Sequence, residues 1–184
     1  MARRATTGAL CCAVALSGAS GAAEWRAEPL FSLGANLDSN RRLLADGERS
    51  GAAQLSGSLA LARRTEISEL TFQPRIDVRR YQGVDEALSS NDAGADLGWR
   101  RQSERWTTRL SATAREDSTL TSELADTGII EGRARRQTLT AASESTWAFG
   151  ERSSLQFGGS FMNIGFDDAG GTGLTPYRYP AAFL

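Results

Sequence analysis

The sequence predicts an all-β fold, an antiparallel up-and-down transmembrane β-barrel with about eight strands present, and three observations predict it. Apolar and polar residues alternate with a period of two through most of the chain, the repeat of a strand whose side chains point to opposite faces. The connections between these runs alternate between long and short without exception. One side of the alternation is apolar and the other is dense in arginine and carboxylates, so the apolar side faces outward, the reverse of a small soluble barrel.

Residues 1–23 read as a secretory signal peptide. Arg3 and Arg4 precede the apolar run from Gly8 to Leu16, and small residues from Ser17 lead to cleavage near Ala23. The alternative, a membrane anchor, needs about 18 or more apolar residues. Cys11 and Cys12 both lie in this segment, with no lipid-attachment pattern before them, so residues 24–184, read as the barrel domain, contain no cysteine.

Composition narrows the function classes. The chain has no histidine, and an exported domain without cysteine has no disulfide or thiol chemistry, so the usual general base and metal ligand are missing. An enzyme is not expected, and neither is a cofactor. All 21 basic residues are arginines; two lie in the leader, leaving 19 against 22 acidic residues, which gives no reason to expect nucleic acid as a partner. Beyond the leader no apolar run approaches the length of a membrane-spanning helix. A membrane-spanning form would therefore cross as strands.

Each strand follows from its own alternation. From Pro29, Phe31, Leu33, Ala35 and Leu37 alternate with Ser32, Gly34, Asn36 and Asp38; in the second strand Ala53, Leu55, Gly57, Leu59 and Leu61 oppose Gln54, Ser56 and Ser58. The third sets Leu70, Phe72, Pro74, Ile76 and Val78 against Glu69, Thr71, Gln73, Arg75, Asp77 and Arg79. Pro74 is its local conflict, because proline cannot donate to a ladder. Ala93, Ala95, Leu97 and Trp99 oppose Gly94, Asp96, Gly98 and Arg100 in the fourth. Trp106, Leu110, Ala112 and Ala114 oppose Thr107, Arg109, Ser111, Thr113 and Arg115 in the fifth. Leu139, Ala141, Trp147 and Phe149 oppose Thr138, Thr140, Glu144 and Thr146 in the sixth. The seventh carries Leu155, Phe157, Gly159 and Phe161, after which Ile164 and Phe166 continue the apolar set on even numbers, a change of phase that predicts a β-bulge near Asn163. Tyr177, Tyr179, Ala181 and Phe183 begin the eighth.

Connections 38–50, 82–91, 117–134 and 167–175 are long, whereas 63–66, 102–104 and 150–153 are tight. In a meander every second connection lies at the same end, so all long loops share one end, as in outer-membrane barrels with short periplasmic turns and longer external loops. Trp99, Trp106, Trp147 and Phe149 fall near the tight turns on the apolar face, and Tyr81, Phe166 and Tyr177 at the long-loop end, so two interfacial aromatic belts are expected. The lumen-lining candidates are Arg75, Asp77, Arg79, Asp96, Arg100, Arg109, Arg115 and Glu144, because mixed charge along a water-filled lumen biases which solutes pass. Mutual ion pairing that plugs a narrow barrel is the other reading of the same residues. A secreted β-sandwich or lipocalin-like barrel, with these aromatics in its core, is the soluble alternative.

Two loop clusters invite chemical readings. Ser118, Thr119, Thr121, Ser122, Glu123 and Asp126 pair hydroxyls with carboxylates, but without histidine they read as turn chemistry. Asp167 and Asp168 with Gly170, Gly171 and Gly173 carry oxygen ligands of the kind calcium takes, but read first as a simple glycine-rich loop, so neither a catalytic nor a metal residue is assigned.

The stretch AREDSTLTSELADTG from Ala114, followed by Arg133, Arg135 and Arg136, and the opening EPLFSLGANLDSNRRL from Glu28 resemble recurrent segments of porin-like outer-membrane barrels of Gram-negative bacteria. That resemblance implies the cell outer membrane as location, outer-membrane lipid and lipopolysaccharide as surroundings, the barrel-assembly machinery as a partner, and an association with surface polysaccharide export components. It implies a passive pore or the outer component of an export system, with a small plugged barrel acting through its external loops as the alternative. Barrels of this kind usually finish on a terminal aromatic residue, whereas this chain ends Ala182, Phe183, Leu184 after Pro176 and Pro180. The expectation is therefore an amino-terminal part of a larger barrel that forms an open meander.

Overall fold

The computed structural model describes residues 10–13, 16–20, 23–38, 50–82, 89–118, 134–167 and 174–184. Its strands are β1 (Leu10–Ala13), β2 (Leu16–Ser20), β3 (Ala23–Asp38), β4 (Ser50–Arg64), β5 (Ser68–Gln82), β6 (Ser90–Gln102), β7 (Trp106–Ser118), β8 (Arg135–Gly150), β9 (Ser153–Asp167) and β10 (Tyr177–Phe183). Among the described residues there is no helix. Strands β3 to β10 form one antiparallel meander in which each strand pairs with its neighbour in sequence. The all-β, up-and-down architecture with eight long-range strands is as the alternation predicts. The sheet is open, with β10 at one end of the strand order.

At the other end, β1 and β2 pair antiparallel with β3, from Leu10 opposite Leu33 to Ser20 opposite Ala23. Both lie inside the segment that the sequence marks as a leader. The strand predicted from Pro29 starts earlier, at Ala23, and this brings Trp25 into the sheet.

The connections are sorted by end. Segments 65–67, 103–105 and 151–152 join their strands tightly at one end, and the strand ends between which the longer connections run, Asp38 to Ser50, Gln82 to Ser90, Ser118 to Arg135 and Asp167 to Tyr177, are at the other. The tight turns satisfy their own backbone: Thr65 N donates to Ser68 O at 2.8 Å and Ser103 N to Trp106 O at 2.7 Å. Neighbouring turns are also tied together, with Gln102 N donating to Ile67 O and Ala148 N to Arg105 O, both at 2.8 Å.

Two local expectations meet the structure differently. Pro74 does lie in an interior strand, and β4–β5 pairing is interrupted opposite it, between Ser58↔Arg75 and Leu61↔Phe72. On its other side Pro74 pairs normally with Ala95. A proline has no N–H for the β4 side, so the ladder skips that step and resumes. The bulge expected near Asn163 is absent: β8 and β9 keep one register from Arg135↔Asp167 to Ala148↔Ser154, and the shift falls between Ala148 and Gly150. Ile164 and Phe166 thus stay on the face opposite Phe161.

The described residues have almost no interior. Ala134 is the one buried apolar residue and Ser90 the one buried polar residue among them. Phe31, Leu33, Leu55, Phe72, Ile76, Leu97, Leu110, Leu139, Leu155 and Phe161 are all exposed, with Leu33 at 60%. They share one face of one sheet, and among the described residues no second layer covers them. Each such side chain left in water forgoes about 1.5–3 kcal/mol of burial.

Candidate functional site, a charged face opposite an apolar one

Cross-strand register shows which side chains share a face. A continuous row runs Leu30↔Ser58↔Arg75↔Gly94↔Arg115↔Thr138↔Ile164↔Tyr177. A second, nearer the tight turns, runs Glu24↔Arg64↔Glu69↔Arg100↔Arg109↔Glu144↔Gly158↔Phe183. With period-two alternation these rows place Arg75, Asp77, Arg79, Asp96, Arg100, Arg109, Arg115 and Glu144 together on one face. All eight residues singled out in the sequence meet there.

Most of these charges are paired. Arg75 reaches Asp96 at 2.9 Å, Arg109 reaches Glu144 at 3.5 Å and Arg64 reaches Glu69 at 2.8 Å. Thr113 Oγ1 also donates to Asp96 at 2.8 Å. Asp77 accepts from Gln54 Nε2 at 2.7 Å and Ser56 Oγ at 2.5 Å. Arg79 Nε lies 2.9 Å from Asp77 Oδ1, close enough for an ion pair but misaligned for a hydrogen bond. Arg136 holds Asp117 with two bonds, at 2.9 and 2.5 Å. These partners are partly exposed, so each pair stabilises the fold by about 0–1 kcal/mol. They fix side-chain positions more than they hold the sheet.

Gly94 is where two arginines converge. A Cβ built there would lie 3.2 Å from Arg75 Nε and 3.5 Å from Arg115 Cγ. A groove of about 420 Å³ opens beside them, bordered by Arg75, Arg115, Asp77, Ser56 and Ser58. No group of three or more His, Cys, Asp or Glu among the described residues is arranged to hold a metal ion.

The aromatic residues divide by face. Trp99, Trp106, Trp147 and Phe149 lie on the apolar face at the tight-turn end. Trp106 and Trp147 stack at 5.8 Å with an interplanar angle of 13°, Phe157 meets Trp106 edge-on at 6.1 Å, and Phe149 lies 5.6 Å from Trp147. Trp99 Nε1 donates to Ser68 Oγ at 3.1 Å. The sequence reading missed Trp25, whose ring sits 5.7 Å from the Arg63 guanidinium; its odd number, in phase with Phe31 and Leu33, was the available signal.

Tyr81, Phe166 and Tyr177 are at the long-loop end but on the charged face, so they do not form a belt on the apolar one. Arg178 Nε donating to Asn163 Oδ1 at 3.1 Å, and Phe183 lying over Gly158, fix the phase of β10 directly. Thr119, Thr121, Ser122, Glu123, Asp126, Asp168, Gly170, Gly171 and Gly173 lie outside the described residues. No family model, curated protein or solved structure matches the chain.

Proposed function

We propose that this chain is an integral outer-membrane β-barrel protein, or a part of one, that works as a passive pore or as the outer component of an export system. One observation carries the reading: a continuous apolar face without a covering layer, opposite a face of mutually paired charges. A soluble sheet would cover the first with helices or a second sheet. Lipid covers it without one.

The dimensions agree. From Leu70 to Val78 the apolar positions of β5 span eight steps of about 3.4 Å, about 27 Å along the strand. At a tilt of about 40° that projects to about 21 Å, within a few Å of the apolar band of about 25 Å that barrels present to lipid. Among the described residues, charged side chains on this face lie toward the strand ends, with Arg63 and Arg101 near the tight turns and Arg80, Asp167, Arg178 and the Glu116–Arg135 pair toward the long loops. Tryptophan at the tight-turn end suits a membrane interface, where its ring is apolar and its N–H wet. Outer-membrane lipid and lipopolysaccharide, the barrel-assembly machinery and surface polysaccharide export components are the partners that this reading carries with it.

Ion pairing favours the second reading, a small plugged barrel that acts as a structural or binding protein through its extracellular loops. Conductance in planar bilayers separates the two, since only the pore passes ions. The lipid assignment has its own test. Ile76→Arg should cost about 2–4 kcal/mol of folding into vesicles, whereas Arg75→Ile should cost little. Equal tolerance of both would contradict it.

A further inference from the structure

We propose that Arg100 and Arg109 form an oxyanion site on the charged face, taking the carboxylate or phosphate group of a small organic solute. The two arginines stand directly opposite each other on β6 and β7. Like charges in directly opposed positions destabilise a sheet unless something compensates them. Among the described residues the compensation is incomplete: Arg100 donates to Gln102 Oε1 at 3.1 Å, and Arg109 reaches Glu144 at 3.5 Å, a long contact. The neighbouring Glu69 is engaged by Arg64 at 2.8 Å. Along the whole row Glu24, Glu69 and Glu144 match Arg64, Arg100 and Arg109 in number, but Glu24 and Glu69 stand on either side of Arg64, which leaves Glu144 as the one acid paired with the two opposed arginines.

A cavity of about 450 Å³ lies against this pair, bordered by Thr71, Arg100, Arg109, Ser111, Glu144 and Phe183. Its size suits a small solute. Gly98 lies between Thr71 and Ser111 in the next row, and a Cβ there would come 2.7 Å from Thr71 Oγ1, so glycine keeps the floor open. A guanidinium presents paired N–H donors that match two oxygens of a carboxylate or phosphate. An anion between the two arginines turns their repulsion into two attractions, while Ser111 supplies a hydroxyl and Phe183 an apolar wall for the rest of the solute. The ligand is a free solute and not a lipid headgroup, because the site is on the face opposite the apolar one.

This site rests on the pore reading only in requiring that water reach the charged face. The test is a titration of the full chain, folded in uncharged detergent micelles, with inorganic phosphate, followed by phosphorus NMR line width. Saturable binding is expected, weakened at least tenfold by Arg100→Gln and by Arg109→Gln, and unchanged by Arg26→Gln on the same face. No saturable binding, or equal weakening by Arg26→Gln, would overturn the site. Displacement of phosphate by phosphatidylglycerol in the micelle would overturn its assignment to a free solute. Insertion of the same proteins into vesicles is read separately. Intact insertion without phosphate binding sinks this site alone, whereas failed insertion of the unaltered chain sinks the pore reading.

Discussion

A single missing methyl shows how tightly the outermost strands are packed. At Gly158 a Cβ would lie 2.3 Å from Ser143 O and 2.6 Å from Phe183 Cζ, and the first of these is backbone that cannot swing away. Gly158→Ala should therefore destabilise the fold by about 1–3 kcal/mol, the usual range for overpacking. At Gly165 a Cβ meets nothing within 4 Å. Gly165→Ala should stay within about 0.5 kcal/mol in the same urea titration in micelles. Equal effects at the two positions would mean that β10 does not lie over β9 in this register. The phase of these strands was also where the sequence was least legible. Phe161, Met162, Ile164 and Phe166 are apolar on both faces, so alternation loses its phase, and a bulge and an unbroken strand read alike until pairing decides.

Among the elements, β5 and its turns show what the pattern specifies and what it leaves open. Alternation from Leu70 to Arg79 was clear enough to place every side chain of that strand, and the structure keeps the assignment. What it could not show was how the ladder tolerates Pro74. The interruption opposite Leu59 and Ala60 answers that. Pro74→Val restores one N–H toward β4 and should stabilise by about 0.5–1.5 kcal/mol, the net worth of one hydrogen bond, measured by the midpoint of urea unfolding. A loss of stability there would show that the strand needs the proline's shape. Topology follows from the sorting of connections. With both native cysteines changed to serine, whole cells should react with an impermeant thiol reagent at Thr175→Cys and not at Ser103→Cys. The opposite result would invert the proposed orientation.

For the whole molecule, the alternation and the sorted connections were enough for an eight-strand meander and for the sharing of one face by eight charged residues. Pairing partners and distances were not, because a period of two fixes a residue's face without fixing its opposite number. The edge at β3 was not legible either: a leader composition marks residues for removal and says nothing of the strand pairing that Leu10–Ala13 and Leu16–Ser20 make with it. The central claim is that the apolar face meets lipid and the charged face meets water. The most direct measurement scans nitroxide spin labels one at a time from position 70 to 79, in vesicles, with Cys11 and Cys12 changed to serine. Collision with oxygen, which concentrates in lipid, should peak at Leu70, Phe72, Ile76 and Val78, and collision with a water-soluble nickel chelate at Thr71, Gln73, Arg75 and Asp77. Nickel access at the even positions equal to that at the odd ones would contradict the claim.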